Sequence, residues 1–160
     1  MYAHNNIIVT LDGDGQNVPE DIPVLVKKLR HASDNVAMVA GQRRVRNDSL
    51  SKKYASKIAN KIRGFILKDG VQDTGCGIKA FRRDVYLKLP YFDNMHRYFA
   101  ALFKREKYDI LLCDVAHRSR DAGISKYGNW DRFKVGVVDL CGVLWLLNRR
   151  KITPFIVEVL

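Results

Sequence analysis

The fold is decided by the run Ile7-Ile8-Val9-Thr10-Leu11 and the turn that follows it, Asp12-Gly13-Asp14-Gly15-Gln16. A short run of apolar and β-branched residues bounded by Asn and Gly is typical of a strand that is buried on both faces, as in a parallel sheet. Pro19 then stands at a first helical position, and the predicted helix ends near Arg30 in basic residues, as the helix macrodipole prefers. A second buried strand follows at Val36-Ala37-Met38-Val39-Ala40. Together these elements predict a strand–helix–strand unit of the α/β class.

The rest of the sequence alternates in a similar way. It predicts, in order, a helix over 48–67, a strand near 78–81, short helices over 83–89 and 95–106, a strand over 108–116 and a helix over 129–149. We expect Asn94 to cap the second short helix. The last helix is apolar but is interrupted by Lys134 and Asp139. It is therefore predicted to lie on a membrane surface or on the core, not to span a membrane.

Length and composition favour one folded domain. The 160 residues are 47% hydrophobic, which excludes intrinsic disorder and allows a real core. Three scattered cysteines form neither a disulfide framework nor a Cys-x-x-Cys metal site, so we expect a reducing compartment. The N-terminus shows no secretory signal pattern. With 28 Lys and Arg against 17 Asp and Glu, the net charge of +11 predicts an anionic partner: nucleic acid, phospholipid or a phosphorylated substrate.

The positive charge is concentrated in one segment. Residues 1–42 carry a net charge of −2, whereas residues 43–68 hold nine Lys and Arg and one Asp, a net of +8. Lys53, Lys57 and Lys61 recur at intervals of four on the predicted helix, where like charges repel. An anionic partner would offset this repulsion, although a solvated helix face explains many such runs. Nucleic acid is the less favoured partner, because the segment lacks interleaved aromatic residues and no helix-turn-helix or zinc pattern is present.

Asp12 and Asp14 are candidate metal ligands. They stand one residue apart just past the first strand, at the edge where open α/β sheets bind ligands. The neighbouring glycines let the backbone turn sharply, so that both carboxylates and Gln16 can face one point. Such oxygen ligands suit Mg²⁺ or Mn²⁺, which keeps waters and bridges to substrate phosphates. An ordinary Asp-Gly turn is the alternative, and an EF-hand loop is excluded because Asn17 stands where glycine is required.

Four segments in order resemble glycosyltransferase family 2, and within it the polyprenyl-phosphate branch of dolichol-phosphate mannose synthase-like enzymes: 9–21, 41–49, 72–79 and 120–128. The resemblance implies an α/β, partial GT-A-like (nucleotide-diphospho-sugar transferase) fold. In this fold, helices flank a mostly parallel sheet and an amphipathic helix stands at the C-terminus. We expect residues 1–128 to be the C-terminal part of a family-2 domain and residues 129–160 to be an interfacial helix and tail. The family's N-terminal nucleotide-binding region is expected to be missing.

The resemblance also implies a function. It is the metal-dependent transfer of a sugar from a nucleotide-sugar donor to a polyprenyl phosphate, by a cytoplasmic protein peripheral on the inner face of the membrane. Asp12, Asp14 and Gln16 would hold Mg²⁺ or Mn²⁺, and Asp14 acts with Asp73 as a catalytic residue. For Asp73 we favour sugar positioning over general-base work, because a lipid phosphate is already anionic; a plain turn residue is the alternative.

Further residues match positions that meet donor or acceptor phosphates in the family: Arg43, Arg46, Arg120, Ser125 and Lys126. The alternative is a set of ordinary surface cations. His96 and Arg97 either face the acceptor or belong to a surface helix. The competing overall hypothesis is a non-catalytic basic protein that binds anionic membrane surfaces. Under the leading hypothesis, the missing N-terminal region leaves open two expectations, an active chain and an inactive one.

Overall fold

A computed structural model describes residues 3–43, 61–71, 73–118 and 129–149, with the backbone alone for 129–134. The described residues form one four-stranded sheet in the order β1–β3–β2–β4. The strands are β1 (Ile7–Thr10), β2 (Val36–Arg43), β3 (Lys79–Arg82) and β4 (Asp109–Val115). All four strands were predicted from the sequence.

Helices connect and cover the strands. They are α1 (Ile22–Arg30), α2 (residues 61–67), α3 (Arg83–Tyr86), α4 (Phe99–Arg105) and α5 (Asn129–Leu147), with 3-10 turns at Pro19–Asp21 and Met95–Arg97. The predicted helix over 48–67 is described only from residue 61, and its earlier part lies outside the described residues. The prediction that Asn94 caps a helix was wrong, since its side chain makes no capping hydrogen bond. Its backbone is instead left-handed (φ 61°), a conformation that Asn tolerates in turns.

The sheet is mixed, with one reversed strand. β2 and β4 are parallel, whereas β3 pairs antiparallel with both β1 and β2. Three of the four strands therefore run in one direction, although two of the three pairings are antiparallel, and the expected α/β sheet flanked by helices is confirmed. β3 lies between the two strands of the predicted strand–helix–strand unit. The expectation that β1 is buried on both faces was wrong. All four of its residues are half-buried, because within the described chain β1 pairs only with β3.

Each face of the sheet carries its own core. Met38 and Phe81 point to one face, where they pack with residues of α4 and α5. Their neighbours Val39 and Ala80 point to the other face, against Leu25 and the rest of α1. This alternation follows from the two-residue period of a strand. Helices on both faces thus hold the sheet rigid and leave its ends to carry side chains for binding.

The final helix packs on the core along one side only. Val143 is 1% exposed, and the Arg105 Nε donates a hydrogen bond to the Leu146 carbonyl oxygen at 2.9 Å. On the other side Val138 and Trp145 are 70% and 58% exposed. No helix in the described ranges is both long enough and apolar enough to cross a membrane.

Candidate functional site

The turn that follows β1 is ordered by its own hydrogen bonds. The Asp14 Oδ1 accepts from the Gln16 backbone N–H at 3.2 Å, which is an Asx-type turn. Gly15 has φ of 76°, a conformation that favours glycine. The Gln16 carbonyl oxygen accepts from the Arg118 N–H at 3.1 Å. This hydrogen bond joins the turn after β1 to the chain just beyond β4, so the two segments lie at the same edge of the sheet.

The Asp12 carboxylate lies in close contact with Gly77. A Cβ built on Gly77 would come within 2.4 Å of the Asp12 Cγ and 2.4 and 2.6 Å of its two oxygens, so the carboxylate occupies the space that a side chain at 77 would fill. The Thr10 Oγ1 donates to the Gly77 carbonyl oxygen at 3.1 Å. The segment 73–78 therefore packs directly against the Asp-Gly-Asp turn.

The same segment is seated on β2. The Gly41 N–H donates to the Ile78 carbonyl oxygen at 3.0 Å. A Cβ on Gly41 would lie 2.6 Å from the Ile78 Cγ2 and 3.0 Å from the Cys76 Sγ. Glycine at 41 is thus required by close approach, and it brings the loop containing Asp73 down onto the end of the sheet.

Arg43 and Asp73 form a bidentate ion pair at the end of β2. The Arg43 Nε donates to the Asp73 Oδ2 at 2.6 Å, and the second nitrogen, Nη2, donates to Oδ1 at 2.7 Å. The two side chains are only 13% and 9% exposed. Both carboxylate oxygens of Asp73 therefore accept from a permanent cation, which suits a positioning role better than that of a proton acceptor.

Lys79 is a buried cation at the start of β3. It is 6% exposed, and its Nζ donates to the Cys76 carbonyl oxygen. Burial lowers the pKa of Lys79, and the negative charges of Asp12 and Asp73 act against that shift. Lys79 thus lies within electrostatic range of Asp12 and Asp73, two of the three predicted acidic site residues.

His96 faces the same group of charges from the Met95–Arg97 turn. Burial lowers the pKa of His96, as do the neighbouring cations Arg97 and Lys79, whereas Asp12 raises it. The side chain of His96 is exposed and lies within electrostatic range of Asp12. That it faces the acceptor stays a prediction.

The donor set at this edge fits a divalent ion that is completed by substrate. Among the described residues no group of three or more His, Cys, Asp and Glu side chains is arranged to hold a metal. Mg²⁺ is often bound by only one or two carboxylates, with water and substrate phosphates supplying the other ligands. Asp12 and Asp14, on adjacent parts of one turn, match that chemistry.

The structure brings together only part of the predicted site. Asp12, Asp14, Arg43 and Asp73 lie at the same edge of the sheet, together with the turn of Gln16. Four predicted phosphate ligands lie outside the described residues: Arg46, Arg120, Ser125 and Lys126. Sequence reasoning missed Lys79 and Gly77. A lysine between apolar residues in a strand, Ile78-Lys79-Ala80, was the available signal for a buried cation.

Comparisons with known proteins show which family the chain belongs to. The family model "Glycosyl transferase family 2" matches residues 1–89. The dodecaprenyl-phosphate galacturonate synthase of Rhizobium johnstonii is 32% identical over 149 residues, which are 91% of this chain and 43% of that protein. The undecaprenyl-phosphate 4-deoxy-4-formamido-L-arabinose transferase of Shewanella sediminis is 36% identical over 130 residues, 79% of this chain and 38% of that protein. The chain therefore spans about two fifths of these relatives.

Solved structures show the same fold. Glucosyl-3-phosphoglycerate synthase from Mycobacterium tuberculosis, crystallised with Mn²⁺, UDP-glucose and glycerol 3-phosphate, matches with a TM-score of 0.55 at 17% identity, covering 91% of this chain and 50% of that one. A second mycobacterial protein matches with a TM-score of 0.59 at 21% identity. The partial GT-A-like fold is thus confirmed, as is the resemblance to polyprenyl-phosphate sugar transferases. The chain belongs to glycosyl transferase family 2.

Proposed function

We propose that this chain forms the metal and acceptor part of an enzyme that transfers a sugar from a nucleotide sugar to a polyprenyl phosphate. The observation that carries the proposal is that one short segment reaches both groups: Gly77 lies against the Asp12 carboxylate, and Asp73 pairs with Arg43. Family membership and the names of the relatives support the same reaction class.

In this proposal Asp12, Asp14 and Gln16 hold Mg²⁺ or Mn²⁺ against the diphosphate of the donor. The bound ion supplies Lewis-acid stabilisation of the charge that develops on the leaving nucleotide diphosphate. The carboxylate of Asp12 lies against Gly77, and that of Asp14 accepts a hydrogen bond within its own turn. In this proposal the two contacts orient both ligands before the donor arrives. Preorganised ligands avoid the cost of ordering them during the reaction.

Asp73 and Arg43 position the reacting groups. Asp73 fixes the guanidinium of Arg43 through two hydrogen bonds, and we assign that cation to a substrate phosphate and the Asp73 carboxylate to the sugar. A general base is unnecessary, because the acceptor phosphate is anionic at neutral pH. Arg46, Arg120, Ser125 and Lys126 are proposed as further phosphate ligands.

We also propose that α5 holds the chain on the cytoplasmic face of the membrane, as a peripheral domain formed by 129–160. Val138 and Trp145 stand on the exposed side of the helix, away from the buried Val143. The Arg149 guanidinium lies 5.4 Å from the centre of the Trp145 ring, a cation beside an amphipathic aromatic residue. An apolar strip flanked by positive charge suits the headgroup region of an anionic bilayer.

The metal role is tested by titrating the full chain with Mn²⁺, with and without UDP, and following the electron paramagnetic resonance signal of the unbound ion. We expect wild type to bind Mn²⁺ more tightly with UDP present, and Asp14→Asn to lose that binding. Asp34→Asn is the matched control, because that carboxylate is fully exposed on another part of the chain. Equal binding by Asp14→Asn and wild type would refute the assigned role.

The membrane role is tested by flotation with phosphatidylcholine vesicles that do or do not contain phosphatidylglycerol. Binding should require the anionic lipid, weaken with salt and fall in a Val138→Ser/Trp145→Ser variant. Leu87→Ser is the control, because Leu87 is likewise an exposed apolar residue, at 50%, but lies outside α5. Vesicle binding without any Mn²⁺-dependent binding of UDP would favour the non-catalytic alternative.

A further inference from the structure

Gly77, like Gly41, is a glycine of the site whose backbone does not require glycine. Among the described glycines, positive φ angles occur at Gly15 and Gly70. Gly77 is therefore in a conformation that any residue can adopt. The space beside its Cα, however, is filled by the Asp12 carboxylate, at 2.4–2.6 Å from the position of an ideal Cβ. The missing side chain, and not the backbone torsion, is the feature to explain.

The segment around Gly77 is held rigidly in this place. The Thr10 Oγ1 donates to the Gly77 carbonyl oxygen at 3.1 Å, and the buried Lys79 ammonium donates to the Cys76 carbonyl oxygen. On the far side Ile78 packs on Gly41. Contacts with β1 and β2, together with the local hydrogen bond from Lys79, hold the backbone at 76–78, so it resists the shift that a larger residue would require.

We propose that Gly77 is the positioning residue for Asp12: the carboxylate packs in the space that a side chain at 77 would fill, and this contact sets the direction of the metal ligand. The inference rests on the proposed metal role of Asp12. A side chain at 77 meets the carboxylate and turns it away from the direction that the turn now gives it. Asp12 is exposed, so its side chain has room to rotate. The fold should survive such a change while metal binding suffers.

The test is Gly77→Ala in the full chain, with Mn²⁺ affinity and Tm measured on the same samples. We expect the Mn²⁺ affinity to fall roughly 10- to 100-fold, the range found when residues that orient metal ligands are changed. Gly64→Ala is the matched control, because no atom lies within 4 Å of a Cβ built there. It should leave the Mn²⁺ affinity unchanged. Wild-type affinity in a folded Gly77→Ala variant would overturn the proposal.

A second comparison covers the case in which Gly77→Ala lowers Tm strongly. In an Asp12→Ala background the carboxylate is gone, so Gly77→Ala should then cost no Tm. An equal loss of Tm in both backgrounds would place the clash elsewhere and overturn the proposal. Asp12→Asn and Asp14→Asn separate the two levels. If both bind Mn²⁺ like wild type, the metal role itself fails. If both lose binding while Gly77→Ala does not, the metal role stands and the positioning role of Gly77 is refuted.

Discussion

The ion pair between Arg43 and Asp73 offers the sharpest test of how the site is held together. Asp73→Asn keeps the size of the side chain but removes its charge and turns one acceptor into a donor. The Arg43 Nε and Nη2, now 2.6 and 2.7 Å from carboxylate oxygens, would then face one amide oxygen and one N–H group. The guanidinium cannot lose its proton, so its almost buried charge would lose the carboxylate to which both nitrogens now donate.

The size of the effect follows from burial. Removing one partner of a buried ion pair costs about 3–5 kcal/mol. The side chains are 13% and 9% exposed, so the pair belongs near the lower end, at ~3 kcal/mol. In a chain of 160 residues each kcal/mol lowers Tm by about 2–4 °C, which gives an expected fall of roughly 6–12 °C.

Thermal unfolding followed by circular dichroism measures this fall directly. Asp34→Asn is the control: Asp34 lies 3.7 Å from Arg82, but its side chain is fully exposed, and we expect no change of Tm. An Arg43→Gln/Asp73→Asn double variant should recover part of the loss, because it also removes the cation that has lost the Asp73 carboxylate. The reasoning is refuted if Asp73→Asn lowers Tm no more than Asp34→Asn does.

Three further outcomes follow from burial and charge. Cys141 is exposed and the other two cysteines are buried, so one thiol per folded chain should react quickly with DTNB and all three only after unfolding; Cys141→Ser should abolish the fast phase. Burial and the Arg97 cation lower the pKa of His96, so the folded state binds fewer protons at this group and loses stability as pH falls below about 6.5. His96→Gln should therefore lose less Tm than wild type between pH 7.5 and pH 5.5, and an equal loss would contradict this sign. Val143→Ala should cost about 2 kcal/mol in urea unfolding, whereas Val138→Ala, at a position 70% exposed, should cost almost nothing; equal effects would argue against the packing of α5.

Local elements were predictable because their signals are local. The strand at Ile7–Thr10 ends where its β-branched run meets a glycine-containing turn. The 3-10 turn that begins at Pro19 leads into α1, which ends in basic residues. The carboxylates of Asp12 and Asp14 also follow from the sequence, since residues directly after a strand must lie at the edge of a sheet. Element type and the position of the Asp-Gly-Asp turn therefore needed no tertiary information.

Long-range pairing was less accessible. Nothing in the strand near Ile78 indicates its direction, and the structure inserts it antiparallel between β1 and β2. Sequence reasoning assigned Arg43 and Asp73 to separate roles, because they are 30 positions apart in the chain. In the structure two hydrogen bonds join them. Charge complementarity between distant residues becomes visible only when the fold sets their distance.

The sequence by itself determined the α/β class, the position of the Asp-Gly-Asp turn and the resemblance that the family match confirmed, because these depend on neighbouring residues and on short motifs. The tertiary structure decided which groups lie together. Arg43 pairs with Asp73, Lys79 is buried, and the Asp12 carboxylate fills the space beside the Cα of Gly77. Burial and contact are properties of the packed chain. The same glycine or lysine has a different meaning once its neighbours in space are known.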